Sequence, residues 1–138
     1  MLRRLVGDEI FFASLRRLYY ERKFEKAGTE DLQRAFEAEA GVSLQRFFDR
    51  WLFDSVVPRV QYRWSLTEGA VIVNFEQIGD EIFDLPVLVT VSYADRREVD
   101  TVVVLADKVT EHRIPATGNV RGIQINRDAG TLAEFTQN

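Results

Sequence analysis

Two periods of hydrophobic and polar positions divide the chain. Residues 8 to 24 set Phe11, Leu15 and Leu18, with Phe12 and Tyr19 one step round, on one side of a helical repeat. Arg16, Arg17, Glu21 and Arg22 fall elsewhere on the same repeat, so the segment reads as an amphipathic helix. Gly7 and Asp8 suit its start, where a carboxylate meets exposed amides, and Ala27-Gly28 ends the segment. Thr29 is the expected N-cap of a second helix, with Glu30 and Asp31 in its first turn, an apolar stripe of Leu32, Ala35, Phe36 and Ala40, and Gly41 as its stop. Ser43 can cap a third helix whose inner face is Leu44, Phe47, Phe48, Trp51 and Leu52.

After Pro58 the period becomes two. Val60, Tyr62, Trp64 and Leu66 alternate with Arg59, Gln61, Arg63 and Ser65, the pattern of a strand buried on one face. Thr67-Glu68-Gly69 turns it into Val71, Val73 and Phe75, which predicts a hairpin. A loop from Gly79 to Asp84 leads to Val87, Val89, Val91 and Tyr93, and Ala94 to Arg97 turns that run into Val99, Thr101, Val103 and Leu105. Shorter strands are expected at Glu111 to Ile114 and Val120 to Asn126, with a last turn at Asp128-Ala129-Gly130. Six or seven strands without intervening helices predict an antiparallel sandwich. The fold class is therefore α+β, helices first, with a helical segment over 1–56 and a β-sandwich over 57–138.

Residue counts narrow the chemistry. There is no Cys and one His, so disulfides, thiolate catalysis and Cys-ligated metals are excluded, and a two-His zinc helix cannot be built. A cytosolic setting is compatible with the missing Cys. Residues 1–56 carry ten charges of each sign, so the whole net charge of −4 falls in the strand region. That balance argues against nucleic acid as a partner. No stretch reaches the length of a membrane span, and the opening Met1 to Val6 is too short for a signal-peptide core, so no membrane partner is expected.

Each candidate for chemistry has a plainer reading. His112 next to Glu111 reads as an edge-strand histidine, since one His makes a poor metal site. Asp80, Glu81 and Asp84 lack EF-hand spacing and read as a solvated loop. Glu37 with Glu39, and Glu30 with Asp31, read as a solvated helix face and a dipole-stabilised first turn, not as an acid/base pair. Phe47, Phe48, Trp51 and Trp64 sit at core periodicity and read as packing residues, not stacking platforms. No phosphate-cradling Gly loop and no G-x-S-x-G is present. Catalytic, cofactor-binding and metal-ligating residues are therefore expected to be none.

One set of phrases resembles a known family. It comprises Gly7-Asp8-Glu9-Ile10-Phe11-Phe12, a helix ending in Tyr19-Tyr20, Thr29-Glu30-Asp31-Leu32, and the run from Gly41-Val42-Ser43-Leu44 through Phe47-Phe48-Asp49-Arg50-Trp51-Leu52-Phe53 to Pro58-Arg59-Val60. Together these resemble the region downstream of the active site in the aminopeptidase N-like zinc metallopeptidases, the gluzincin aminopeptidases. Asn126-Arg127-Asp128-Ala129-Gly130-Thr131-Leu132 is similar to the end of that family's small β-sandwich. The resemblance is strong over residues 1–64 and weaker beyond. One departure is Val56, where the family commonly has Gly.

In that family H-E-x-x-H and a later Glu hold zinc, and the Glu within the motif activates water; this chain has none of them. The transition-state Tyr lies upstream of the matching region, so neither Tyr19 nor Tyr20 inherits its role. The resemblance implies a non-catalytic C-terminal fragment that braces the catalytic domain of a zinc metalloaminopeptidase. Zinc is expected only in the whole enzyme, where N-terminal residues are cleaved from peptides. The expected partner is the missing upstream metallopeptidase domain, and peptide substrates are met only through it. Leu2, Leu5 and Val6 agree, because their helical stripe begins with no cap before it and reads as the tail of a longer helix. The alternative is an independent helix-plus-sandwich module for protein interaction or carbohydrate binding. An exposed apolar patch on the helices favours the fragment, whereas exposed aromatic residues on a sandwich face favour the module.

Overall fold

The computed structural model describes every residue from Met1 to Asn138. The chain has an α+β fold, in which a few helices precede two small, mostly antiparallel sheets that do not close into a barrel. It divides into two compact units, Leu2–Ser55 and Val56–Asn138, with Met1 grouped with the second.

In the first unit, a short helix α1 (Leu2–Val6) turns at Gly7 into α2 (Asp8–Arg22), followed by α3 (Thr29–Ala40) and α4 (Gln45–Phe48). Gly7 has φ 84°, a left-handed conformation that a side chain would strain, and its carbonyl accepts the Phe11 N–H at 2.9 Å to start α2. α3 begins one residue earlier than its sequence suggests. Gly28 is the N-cap, and the Asp31 carboxylate reaches back to accept the Gly28 N–H at 3.0 Å. Gly41, at φ 68°, ends the helix as expected by donating its N–H to the Glu37 carbonyl.

α2 and α3 pack through Phe11 and Phe36, whose rings meet edge to face at 5.4 Å. Ser14 is fully buried on the same side of α2, with its hydroxyl folded back onto the Ile10 carbonyl at 2.7 Å. Phe12, Leu15 and Tyr19, expected on the inner stripe, are exposed instead. The apolar positions of α2 therefore form two stripes, of which only the one carrying Phe11, Ser14 and Leu18 turns inward.

The third helix also departs from its expected form. After Phe48 the backbone widens into a π-type turn over Asp49–Phe53. Leu44, Phe47 and Phe48 are buried, Trp51 is half-buried, and Leu52 and Phe53 face outward. The wider turn advances each residue through a smaller angle, so Leu52 no longer follows Phe48 onto the inner face.

The second unit contains β1 (Arg59–Thr67), β2 (Ala70–Ile78), β3 (Leu85–Tyr93), β4 (Glu98–Leu105), β5 (Val109–Pro115), β6 (Val120–Ile125) and β7 (Glu134–Gln137). One sheet has the order β5-β2-β1-β7 and the other β4-β3-β6. β1 and β2 form the expected hairpin around Glu68-Gly69, with Gly69 at φ 71°. Alternation buries Val71, Val73 and Phe75 of β2, and Val87, Val89 and Val91 of β3. The inner face of β1 thins toward its turn, from fully buried Val60 to exposed Leu66.

The pairing of β7 differs from an all-antiparallel sandwich, because β7 runs parallel to β1, with Arg59 opposite Glu134 and Tyr62 opposite Gln137. The chain reaches it through a corner instead of a hairpin. There Asn126, at φ 53°, donates its side-chain amide to the Thr131 carbonyl at 2.9 Å and accepts the Thr131 N–H at 3.0 Å. The buried Thr131 hydroxyl donates to the Pro86 carbonyl at 2.6 Å. The corner carries the chain between sheets, so it arrives at the free edge of β1 running in the same direction.

Candidate functional site

His112 lies on β5 opposite Val73 and shares its inward-facing side, while Glu111 on the other side is opposite Asn74. Alternation thus separates the adjacent pair, and the imidazole is half-buried among strand residues. No group of three or more His, Cys, Asp or Glu side chains is arranged to hold a metal ion.

The loop bearing Asp80, Glu81 and Asp84 is organised around Phe83, which is buried, and around Gln77. The Gln77 amide donates to the carbonyls of Phe83 at 2.9 Å and Asp107 at 3.2 Å, and its oxygen accepts the Phe83 N–H at 3.0 Å. Lys108 donates its ammonium to the Gly79 carbonyl at the head of the loop. Neither Gln77 nor Phe83 belongs to a motif in the sequence. The available signal was that Gln77 continues the buried face of Val71, Val73 and Phe75, where an amide needs internal partners.

Of the helical carboxylates, Glu37 and Asp31 serve the backbone. Glu37 accepts the Leu44 N–H at 2.7 Å, together with the Gln33 amide at 3.1 Å and the Ser43 hydroxyl at 3.4 Å. The Leu44 N–H first, and then Gln33 and Ser43, hold its carboxyl below the usual range. Glu37 thus takes the capping role that sequence gives to Ser43, whose hydroxyl makes only a longer contact of 3.3 Å with the Gln45 N–H. Glu39 pairs with Arg17 at 2.6 Å. Asp31 is lowered by the Gly28 N–H and then by Arg22 and Arg34, each 2.6 Å away. Glu30 is exposed. These groups do not converge on a common point where a substrate could sit between an acid and a base.

What stands out is an apolar surface on the helical unit. Phe12, Leu15 and Tyr19 follow the 3.6-residue repeat on the outward side of α2, and Tyr20 adjoins them with its ring 5.6 Å from that of Tyr19. Arg3, itself ion-paired to Asp8 at 2.7 Å, lies over the Phe12 ring at 5.1 Å. Phe24 is 99% exposed at φ 67°, an unfavourable conformation for a bulky residue. Every exposed large aromatic, Phe12, Tyr19, Tyr20, Phe24 and Phe53, lies in the helical unit. On the sandwich, Tyr62 and Trp64 are half-buried and Tyr93 is buried, and the exposed large apolar residues are aliphatic. Val56 has no positive φ, so its place in the family's Gly position needs no special backbone.

No family model matches the chain, and no curated protein matches it in sequence. Among solved structures it is similar to the crystal structure of Legionella pneumophila aminopeptidase A in complex with aspartic acid, with a TM-score of 0.81 and 14% identity. The match covers 99% of this chain and 17% of that one, so the chain spans about a sixth of its length. At that identity the likeness is one of fold. The likeness takes in residues of the helices and of both sheets.

Proposed function

We propose that this chain is the non-catalytic C-terminal portion of an aminopeptidase N-like zinc metallopeptidase, and that it braces the catalytic domain. The observation carrying this reading is the doubly apolar α2. A helix with apolar residues on both sides is normally covered on both sides, and here the stripe of Phe12, Leu15 and Tyr19 is uncovered. The covering partner is the upstream metallopeptidase domain. Extension of the fold likeness over 99% of this chain but 17% of the longer enzyme supports the same view.

The donor set of this chain does not fit zinc, since it offers one His and no cluster of three potential ligands. In this reading the metal and peptide cleavage belong to the upstream domain. The residues described here act by packing, and the chain alone has no peptidase activity. The alternative carbohydrate-binding module would need exposed rings on a sandwich face, and the exposed rings lie elsewhere.

The first test is the coding sequence immediately upstream of Met1. An open frame containing H-E-x-x-H and a later Glu is the expected result, and a stop codon with a promoter would overturn the proposal. In an enzyme so identified, Phe12→Glu with Tyr19→Glu should abolish most peptidase activity while leaving the circular dichroism of the isolated chain unchanged. Full activity in that double variant would remove the bracing role.

A further inference from the structure

The turn joining β3 to β4 carries an arginine where the backbone favours glycine. The Tyr93 N–H donates to the Arg97 carbonyl at 2.9 Å and the Arg96 N–H to the Tyr93 carbonyl at 3.1 Å, which places Arg96 at φ 68°. Nearby, β3 pairs with β6 through a bulge. Ser92 is opposite Gly122, but Tyr93 is opposite Val120, so Arg121 is the extra residue. A bulge re-aims the side chain it carries. These two local irregularities bring Arg96 and Arg121 into one shallow groove with Ser92, Tyr93, Arg97 and Glu98.

Arg97 is held in place. Its guanidinium stacks over the Tyr93 ring at 4.2 Å and donates to the Thr117 carbonyl at 2.6 Å, with Asp95 at 3.7 Å. Glu98, the acidic residue lining the groove, is engaged by Arg127 at 2.5 Å, and Arg127 also holds Asp100 at 3.1 Å. Arg96 and Arg121 make no ion pair. Asp95 offsets Arg97, and Arg127 is shared between Glu98 and Asp100, so the groove and its ion-pair partners together keep a positive balance. They do so on a unit whose net charge is −4.

We propose that Arg96, Arg97 and Arg121 form an oxyanion site on the sandwich that takes a phosphate-class dianion. Planar guanidinium groups present paired N–H donors that match tetrahedral oxyanions, and Ser92 also lines the groove. Three arginines lining one groove suit the several oxygens of a phosphate better than a monocarboxylate. The strained turn at Arg96 has a ready purpose in this arrangement, because a glycine there would relieve the backbone and lose the ligand contact.

The test is a titration of the isotopically labelled chain with inorganic phosphate above its second pKa, at constant ionic strength set with sodium chloride. Saturable amide shifts are expected at Ser92, Tyr93, Arg96, Arg97 and Arg121. The double variant Arg96→Ala with Arg121→Ala should retain a dispersed spectrum and bind about tenfold or more weakly. Arg96→Gly should lose affinity while its melting temperature stays level or rises. Shifts that grow linearly without saturating, equal affinity for acetate, or undiminished binding in the double variant would each overturn the proposal.

Discussion

The two units dispose of their aromatic residues in opposite ways. The sandwich buries the inner faces of β2 and β3 fully, its exposed large apolar residues are all aliphatic, and buried Gln77 has its partners within the unit. The helical unit buries Phe36, Phe47 and Phe48 yet leaves five aromatic side chains in solvent. The contrast teaches that the uncovered rings are not a shortage of core-forming residues. α2 has enough apolar positions for two contacts, and one contact is made.

Truncating the core should have the largest effect and should be felt in both units. Phe75→Ala in the sandwich and Phe36→Ala in the helices are each expected to lose about 3–5 kcal/mol, read by chemical denaturation. A loss under about 1 kcal/mol at Phe36 would mean that the helical unit has no core of its own. Next, Gln77→Leu should cost about 2–4 kcal/mol, because the Phe83 N–H and carbonyl lose their buried partner. Asn126→Ala, which removes the paired bonds to Thr131 and a side chain tolerant of positive φ, should cost about 2 kcal/mol. Its expected signature is loss of amide protection in β7 before β1 and β2 weaken.

Changing the uncovered stripe should do much less. Phe12→Ser and Tyr19→Ser should alter the stability of the isolated chain by no more than about 0.5 kcal/mol. Light scattering should fall in the same variants, since the apolar patch shrinks. A large loss of stability would show that these rings already support the fold, and the contrast between units would fail.

The smallest expected effect is on pH dependence. Asp31 and Glu37 in the helices, and Asp100 beside the Thr90 hydroxyl and Arg127, have carboxyls below their ordinary range. A depressed folded-state pKa adds stability that is present above the unfolded value, about 4, and is lost as pH falls through the folded value. Acid should therefore weaken the helical unit through Asp31 and Glu37, and Glu37→Gln should flatten that dependence. An identical acid titration in the variant would remove Glu37 as a contributor.

Much of the fold was legible because alternation and helical repeats directly report burial. Every strand start from β1 to β4 follows from its apolar alternation and turn residues, and Gly41 ends α3 where its sequence suggests. The misses have physical causes. A helical repeat shows that Phe12, Leu15 and Tyr19 share a side, but an apolar side does not reveal whether its partner is present. The π-type turn after Phe48 has no composition signal and moves Leu52 outward. Parallel pairing of β7 depends on where a corner delivers the chain, which Asn126 and Thr131 determine through bonds that alternation does not encode. At the candidate surface, the residue types were readable while their exposure was not. The arginine groove arises from a bulge and a turn, neither of which has a hydrophobic pattern.

The parallel junction of β7 with β1 also orders events on the ribosome. β1 meets β2 as soon as a two-residue turn has emerged, but its other edge waits for residues 134–137. During that interval the nascent chain carries an open strand edge able to template pairing with another polypeptide. When β7 arrives it covers that edge and, four residues long, becomes the shorter outer strand of the sheet.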